Sequence, residues 1–130
     1  MSFMTQTIAG NNLLTHINKP ATIGLTAVEC SNTILNNYGQ TAVNTLTLPT
    51  AVLGLSFQFV VSTTGYALHI KAGTSDKIYL DGTALDDGDK VSILTPSVSD
   101  SVYFFCFQTG ASTCDWFCSS INGYWIDGGV

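Results

Sequence analysis

From residue 21 onward, short runs of alternating apolar and polar residues follow one another, each closed by Gly, Pro, Asn or Asp. No feature of the chain constrains its fold more. Alternation puts successive side chains on opposite faces of a strand, so each run can bury one face. Ala42–Leu48 turns Leu46 and Leu48 one way and Thr45 and Thr47 the other, and Pro49 ends it. Leu55, Phe57, Phe59 and Val61 share a face, as do Tyr66, Leu68 and Ile70, which leaves His69 and Lys71 outward. Ile78 and Leu80 form one side of a short strand, and Asp86-Asp87-Gly88-Asp89 is a tight turn before Lys90–Leu94. Ser101–Gln108 is apolar on both faces, which predicts a central strand. Cys114–Ser120 follows the next turn, and Asn122-Gly123 punctuates before Tyr124–Ile126.

No long window keeps apolar residues at helical spacing. Strands recurring every 8–12 residues or so predict an all-β fold, an antiparallel sandwich or a barrel-like domain. At 130 residues the chain suits one domain, 21–130, with a core that needs no metal or disulfide staple. Residues 1–20 differ: their apolar residues keep no period, and Gly10-Asn11-Asn12 and Lys19-Pro20 break them up. They read as an extended N-terminal arm. Its apolar residues Phe3, Ile8, Leu13, Leu14 and Ile17 are expected to dock on a neighbouring subunit; the plainer alternative is a frayed terminus.

Charge narrows the function classes. Only 10% of residues are charged and there is no arginine, against about 25% charged in an average soluble domain. Thr, Ser, Asn and Gln supply the polarity instead. A surface with so little charge associates readily, because copies barely repel. Lys19, Lys71, Lys77 and Lys90 are the only cations in a chain of net charge −5. That leaves no basic stripe for nucleic acid and no polybasic anchor for a membrane. No signal peptide opens the chain, and no apolar run is long enough to span a bilayer. Synthesis in a reducing cytoplasm is therefore expected, with Cys30, Cys106, Cys114 and Cys118 as free thiols rather than bridges or zinc ligands.

Catalytic motifs are missing. His69 has no nucleophile motif or orienting acid beside it in sequence, and reads as a surface histidine. The run Asp81–Asp89 departs from the EF-hand order and lacks its closing Glu, so a turn is favoured over a calcium site. No catalytic residue, cofactor or metal is expected. Trp116, Tyr124 and Trp125 are a possible aromatic binding cluster, or else a core cluster closing the domain.

Three stretches carry a family likeness: Cys30-Ser-Asn-Thr-Ile-Leu-Asn-Asn-Tyr-Gly-Gln40, Thr45-Leu-Thr-Leu-Pro49, and Gly54-Leu-Ser-Phe-Gln-Phe-Val-Val61. With Ala67-Leu-His-Ile70, Ile78-Tyr-Leu80 and the end Gly123-Tyr-Trp-Ile-Asp-Gly128, they resemble a module of tailed-phage structural proteins over about residues 26–130. The resemblance implies a trimeric, β-rich virion component, found either as capsid decoration (cement) proteins or in fibres and tailspikes. The chain starts at Met1 and is little longer than the module, which suits a stand-alone decoration protein of the bacteriophage head. The expectation is a homotrimer bound over junctions of the major capsid protein, holding them by several weak contacts at once. The alternative is a receptor- or glycan-binding tip of a tail fibre that uses Trp116, Tyr124 and Trp125.

Overall fold

The computed structural model describes residues 7–8, 11–12 and 15–130. Their strands are β1 (Thr7–Ile8), β2 (Asn11–Asn12), β3 (Thr15–Asn18), β4 (Ile23–Gly24), β5 (Ser31–Asn36), β6 (Asn44–Thr47) and β7 (Ser56–Val60). There follow β8 (Leu68–Lys71), β9 (Ile78–Leu80), β10 (Thr83–Ala84), β11 (Lys90–Ile93), β12 (Ser101–Gly110), β13 (Thr113–Asn122) and β14 (Ile126–Asp127). The one helical piece among the described residues is a 3₁₀ turn at Val28–Cys30. It lies between β4 and β5. The side chains of Thr26 and Glu29 exchange hydrogen bonds with each other's backbone amides and set this turn.

The strands form a seven-stranded sheet, β10-β9-β13-β12-β7-β5-β3, and a five-stranded sheet, β14-β11-β8-β6-β4, beside the β1-β2 pair. Both large sheets are mixed, which corrects the expected antiparallel arrangement. From β3 to β8 the chain alternates between the two sheets and each new strand lies parallel to the one two before it: β3, β5 and β7 in one sheet, β4, β6 and β8 in the other. Parallel neighbours need a crossover, and here the opposite sheet supplies it. Each turn of this winding stacks on the last. Thr33 pairs with Phe57 and Asn44 with Leu68, the same step of 24 positions (33 to 57, 44 to 68). No sequence repeat marks the step, because backbone pairing and inward parity recur without residue identity.

The long β12–β13 hairpin then inserts between β7 and β9, antiparallel to β7 and parallel to β9 through β13. This makes β12 central, as its two apolar faces predict. The inward rows of both sheets meet in one buried core: Leu35, Phe57, Phe59, Phe104 and Trp116 from the large sheet, Leu46, Leu68, Ile70, Val91 and Ile93 from the small one. Phe57 and Phe104 stack with ring centroids 5.0 Å apart, and Trp116 meets both edge-on. Tyr66 is exposed rather than inward, since β8 begins only at Leu68.

Strand β3 belongs to the large sheet, so residues 15–18 are its edge and not part of a free arm. Ile17 is partly buried and packs against the chain's own core. The expectations for Phe3, Leu13 and Leu14 lie outside the described residues, as does that for the Ile8 side chain.

Candidate functional site

Two surfaces stand out, and the first follows from β12. Val102, Phe104 and Cys106 enter the core, so Tyr103, Phe105 and Phe107 must point outward. On β13, Trp116 and Cys118 point inward and Phe117 outward; on β9, Ile78 points inward and Tyr79 outward. Register then gathers the outward rings. Phe105 pairs with Phe117, and Phe117 with Tyr79. Phe105 and Phe117 stack at 5.1 Å, Tyr79 meets Phe107 edge-on at 5.1 Å, and Phe107 lies 6.1 Å from Phe117. Tyr103 continues the patch 5.8 Å from Phe105.

Four of these rings are half-buried only because they cover one another, and Tyr103 is exposed. Ser56, Gln58 and Val60 flank them on β7 and Ser119 on β13, and Lys77, two residues before Tyr79, is paired with Asp87. The one carboxylate in the patch, Asp115, accepts hydrogen bonds from the Lys77 amide (2.8 Å) and the Thr109 hydroxyl (2.6 Å). Together the five rings make one contiguous aromatic patch on the outer face of the large sheet.

The second surface is one end of the domain, where β3, β5, β7, β11 and β13 finish and β4, β6, β8, β12 and β14 start. Four loops meet there, covering residues 37–43, 61–67, 94–100 and 123–125, and the 19–22 loop joins them through the Lys19 amide, which donates to the Asn36 carbonyl. Asn37, fully buried, binds the first to the second: its Oδ1 accepts from the Ser62 and Thr63 amides, and its Nδ2 donates to the Thr63 carbonyl. Val61 and Ser99 link the second to the third through backbone hydrogen bonds in which the Val61 amide donates to Asp100 and the Ser99 amide to Val61. Buried Asp100 accepts from the Ser97 amide and the Asn122 side chain, which brings in the fourth. These bonds make one platform, from which Tyr38, Tyr66 and Tyr124 stand out to solvent.

The sequence-predicted cluster does not form a surface site. Trp116 is fully buried and Trp125 is 5% exposed, with its Nε1 donating to the Asn122 carbonyl at 2.9 Å. Tyr124 alone stands exposed, at 82%. Trp116 is inward because it pairs with inward Cys106 across the hairpin. The outward rings were hinted at by the two apolar faces of β12; the tyrosines at the loop end sit in turns, where alternation carries no signal.

Other polar groups are committed to structure. His69 Nδ1 lies 2.6 Å from the hydroxyl of fully buried Ser92, and burial, then the Lys90 ammonium, hold its pKa below the usual imidazole value. A cavity of about 440 Å³ contains Asp76, Asp87 and Asp115. Asp76 accepts the Ala51 amide and Asp87 pairs with Lys77 at 2.9 Å, so neither faces the cavity as an unused base. Among the described residues no three His, Cys, Asp or Glu side chains are grouped to hold a metal ion, and no helix is long and apolar enough to cross a membrane. The four cysteines are free thiols; Cys30, Cys106 and Cys118 are buried and Cys114 half-buried.

No protein family, curated protein or solved structure matches the chain.

Proposed function

We propose that this chain is a virion structural protein that works by assembly: a two-layer β-sandwich that forms a homotrimer and decorates the capsid by binding over junctions of the major capsid protein. The observation that carries this reading is the neutral aromatic face Tyr79–Tyr103–Phe105–Phe107–Phe117. Burying one such side chain fully is worth about 1.5–3 kcal/mol, so four half-buried rings and the exposed Tyr103 leave a large favourable term unclaimed by the single chain. A second copy is the occupant the face fits. Its bordering lysine, Lys77, is paired with Asp87 and its carboxylate Asp115 is already hydrogen-bonded, so two copies meet there without an unpaired charge. Interface cores are built this way, rich in Tyr and Phe and poor in charge. Threefold symmetry, the virion setting and the capsid partner come from the likeness of Cys30–Gln40, Gly54–Val61 and Gly123–Gly128 to the phage module. No side chain in this reading is catalytic, and no cofactor or metal enters it.

The test has two parts. Native mass spectrometry with and without EDTA and reductant should give three times 13.8 kDa in all conditions. Heads stripped of decoration should then bind the purified trimer on co-sedimentation. A monomer that leaves the heads unbound contradicts the proposal.

A further inference from the structure

We infer that the loop end of the domain is a binding surface for a neutral polysaccharide, separate from the aromatic sheet face. Tyr38 is 69% exposed and Tyr124 82%, with Tyr66 also exposed between them in the order of linked loops. Their neighbours are Asn, Gln, Ser, Thr and Gly: Asn36-Asn-Tyr-Gly-Gln-Thr41, Ser62-Thr-Thr-Gly-Tyr66, Thr95-Pro-Ser-Val-Ser99 and Ser119-Ser-Ile-Asn-Gly-Tyr124. The charged side chains at this end are Asp100, which is buried and occupied by the Ser97 amide and Asn122, and Lys19, whose ammonium is paired with Glu29.

That chemistry selects among ligands. With no unpaired cation at the surface, a phosphate, sulfate or uronate would give up its hydration for nothing of opposite sign. A basic partner would find no exposed carboxylate. A neutral sugar fits both halves of the surface. The C–H face of a pyranose lies on the electron-rich face of a tyrosine ring, and its hydroxyls, each donor and acceptor, match hydroxyls and amides. Val43, Leu94, Val98 and Ile121 are exposed on or beside the same loops and would pack the methyl groups of acetamido or 6-deoxy sugars. A cavity of about 260 Å³, lined by Thr64, Gly65, Leu94, Thr95 and Pro96, offers hydroxyls and apolar carbon together. The platform is fixed by buried hydrogen bonds, so little ordering cost falls on binding.

The experiment is an array of neutral oligosaccharides of N-acetylglucosamine, N-acetylgalactosamine, rhamnose and fucose, printed beside sialylated and sulfated ones. The full chain is applied at low and high salt. The expected result is binding to neutral members, unchanged by salt and weakened about tenfold or more in Tyr38→Ala and in Tyr124→Ala. Both tyrosines are exposed, so the variants should keep wild-type native mass and melting temperature, which separates this outcome from a failure of assembly. Binding confined to charged glycans, no glycan binding, or neutral binding that survives the Tyr38→Ala/Tyr124→Ala double variant overturns the inference. So does capture of a protein at this end with no saccharide bound.

Discussion

Asn37 and Thr63, 26 positions apart, hold each other by two hydrogen bonds: the Asn37 Oδ1 accepts the Thr63 amide at 3.1 Å and its Nδ2 donates to the Thr63 carbonyl at 2.9 Å. Asn37 Nδ2 also donates to Gln40 Oε1, and Asn37 Oδ1 also accepts from the Ser62 amide. Every hydrogen-bonding position of a fully buried side chain is thus used, three of the four bonds joining two turns of the winding. Asn37→Asp keeps the acceptor but sets a second oxygen against the Thr63 and Gln40 oxygens. Chemical denaturation should show a loss of about 1–3 kcal/mol, the cost of orphaning buried polar groups. A loss within error would mean that the loops are joined by other contacts.

Gly123 is required for two independent reasons. Its φ of +95° suits glycine, and a Cβ there would stand 2.6 Å from Asp100 Cγ. Gly129 has φ of +71° and open space around it. Gly123→Ala should therefore lower the melting temperature clearly more than Gly129→Ala, where only backbone strain of about 1 kcal/mol applies. Equal shifts would show that the contact with Asp100 is soft.

Burial pushes the Cys30 and Cys106 thiols up to about 12 and raises Cys118 as well. These three cannot supply thiolate to a reagent while the domain is folded. Half-buried Cys114 is the accessible one. At mildly alkaline pH a disulfide reagent should label one thiol per native chain, and Cys114→Ser should abolish that fast phase. Four thiols should react after denaturation. Fast labelling that persists in Cys114→Ser would contradict the burial of the other three.

His69 gives a pH dependence whose sign is fixed. Its folded pKa lies below the ordinary value of 6.5, through burial and then the Lys90 charge. The unfolded chain therefore takes up the proton first as pH falls. Stability should decline as pH drops through 6.5 and level off below the folded pKa. His69→Gln, measured by denaturation across this range, should flatten that part of the curve; an unchanged slope would exclude His69 as its source.

Alternation made much of the core legible. Leu55, Phe57, Phe59 and Val61 are all buried as their spacing requires, and so are Leu46, Leu48, Leu68 and Ile70. Strand direction was not legible. Whether β5 runs parallel or antiparallel to β7 depends on β6 joining the opposite sheet, a choice made by long-range packing rather than by either strand's residues. The site residues fared similarly. Trp116 and Phe117 are adjacent and both aromatic, and only pairing with Cys106 and Phe105 across the hairpin decides which enters the core. The exposed tyrosines at 38, 66 and 124 gather because hydrogen bonds from Asn37 and Asp100 link their loops, a relation no local pattern encodes.

The central claim is that the outward aromatic face joins copies of this chain. The most direct measurement is the native mass of the wild type beside a Phe105→Ser/Phe117→Ser variant, with circular dichroism as the control for folding. Neither ring enters the core, so the variant should keep the wild-type β spectrum. The expected result is a wild-type trimer and a folded, monomeric variant. A wild-type monomer, or a variant that remains trimeric, would contradict it.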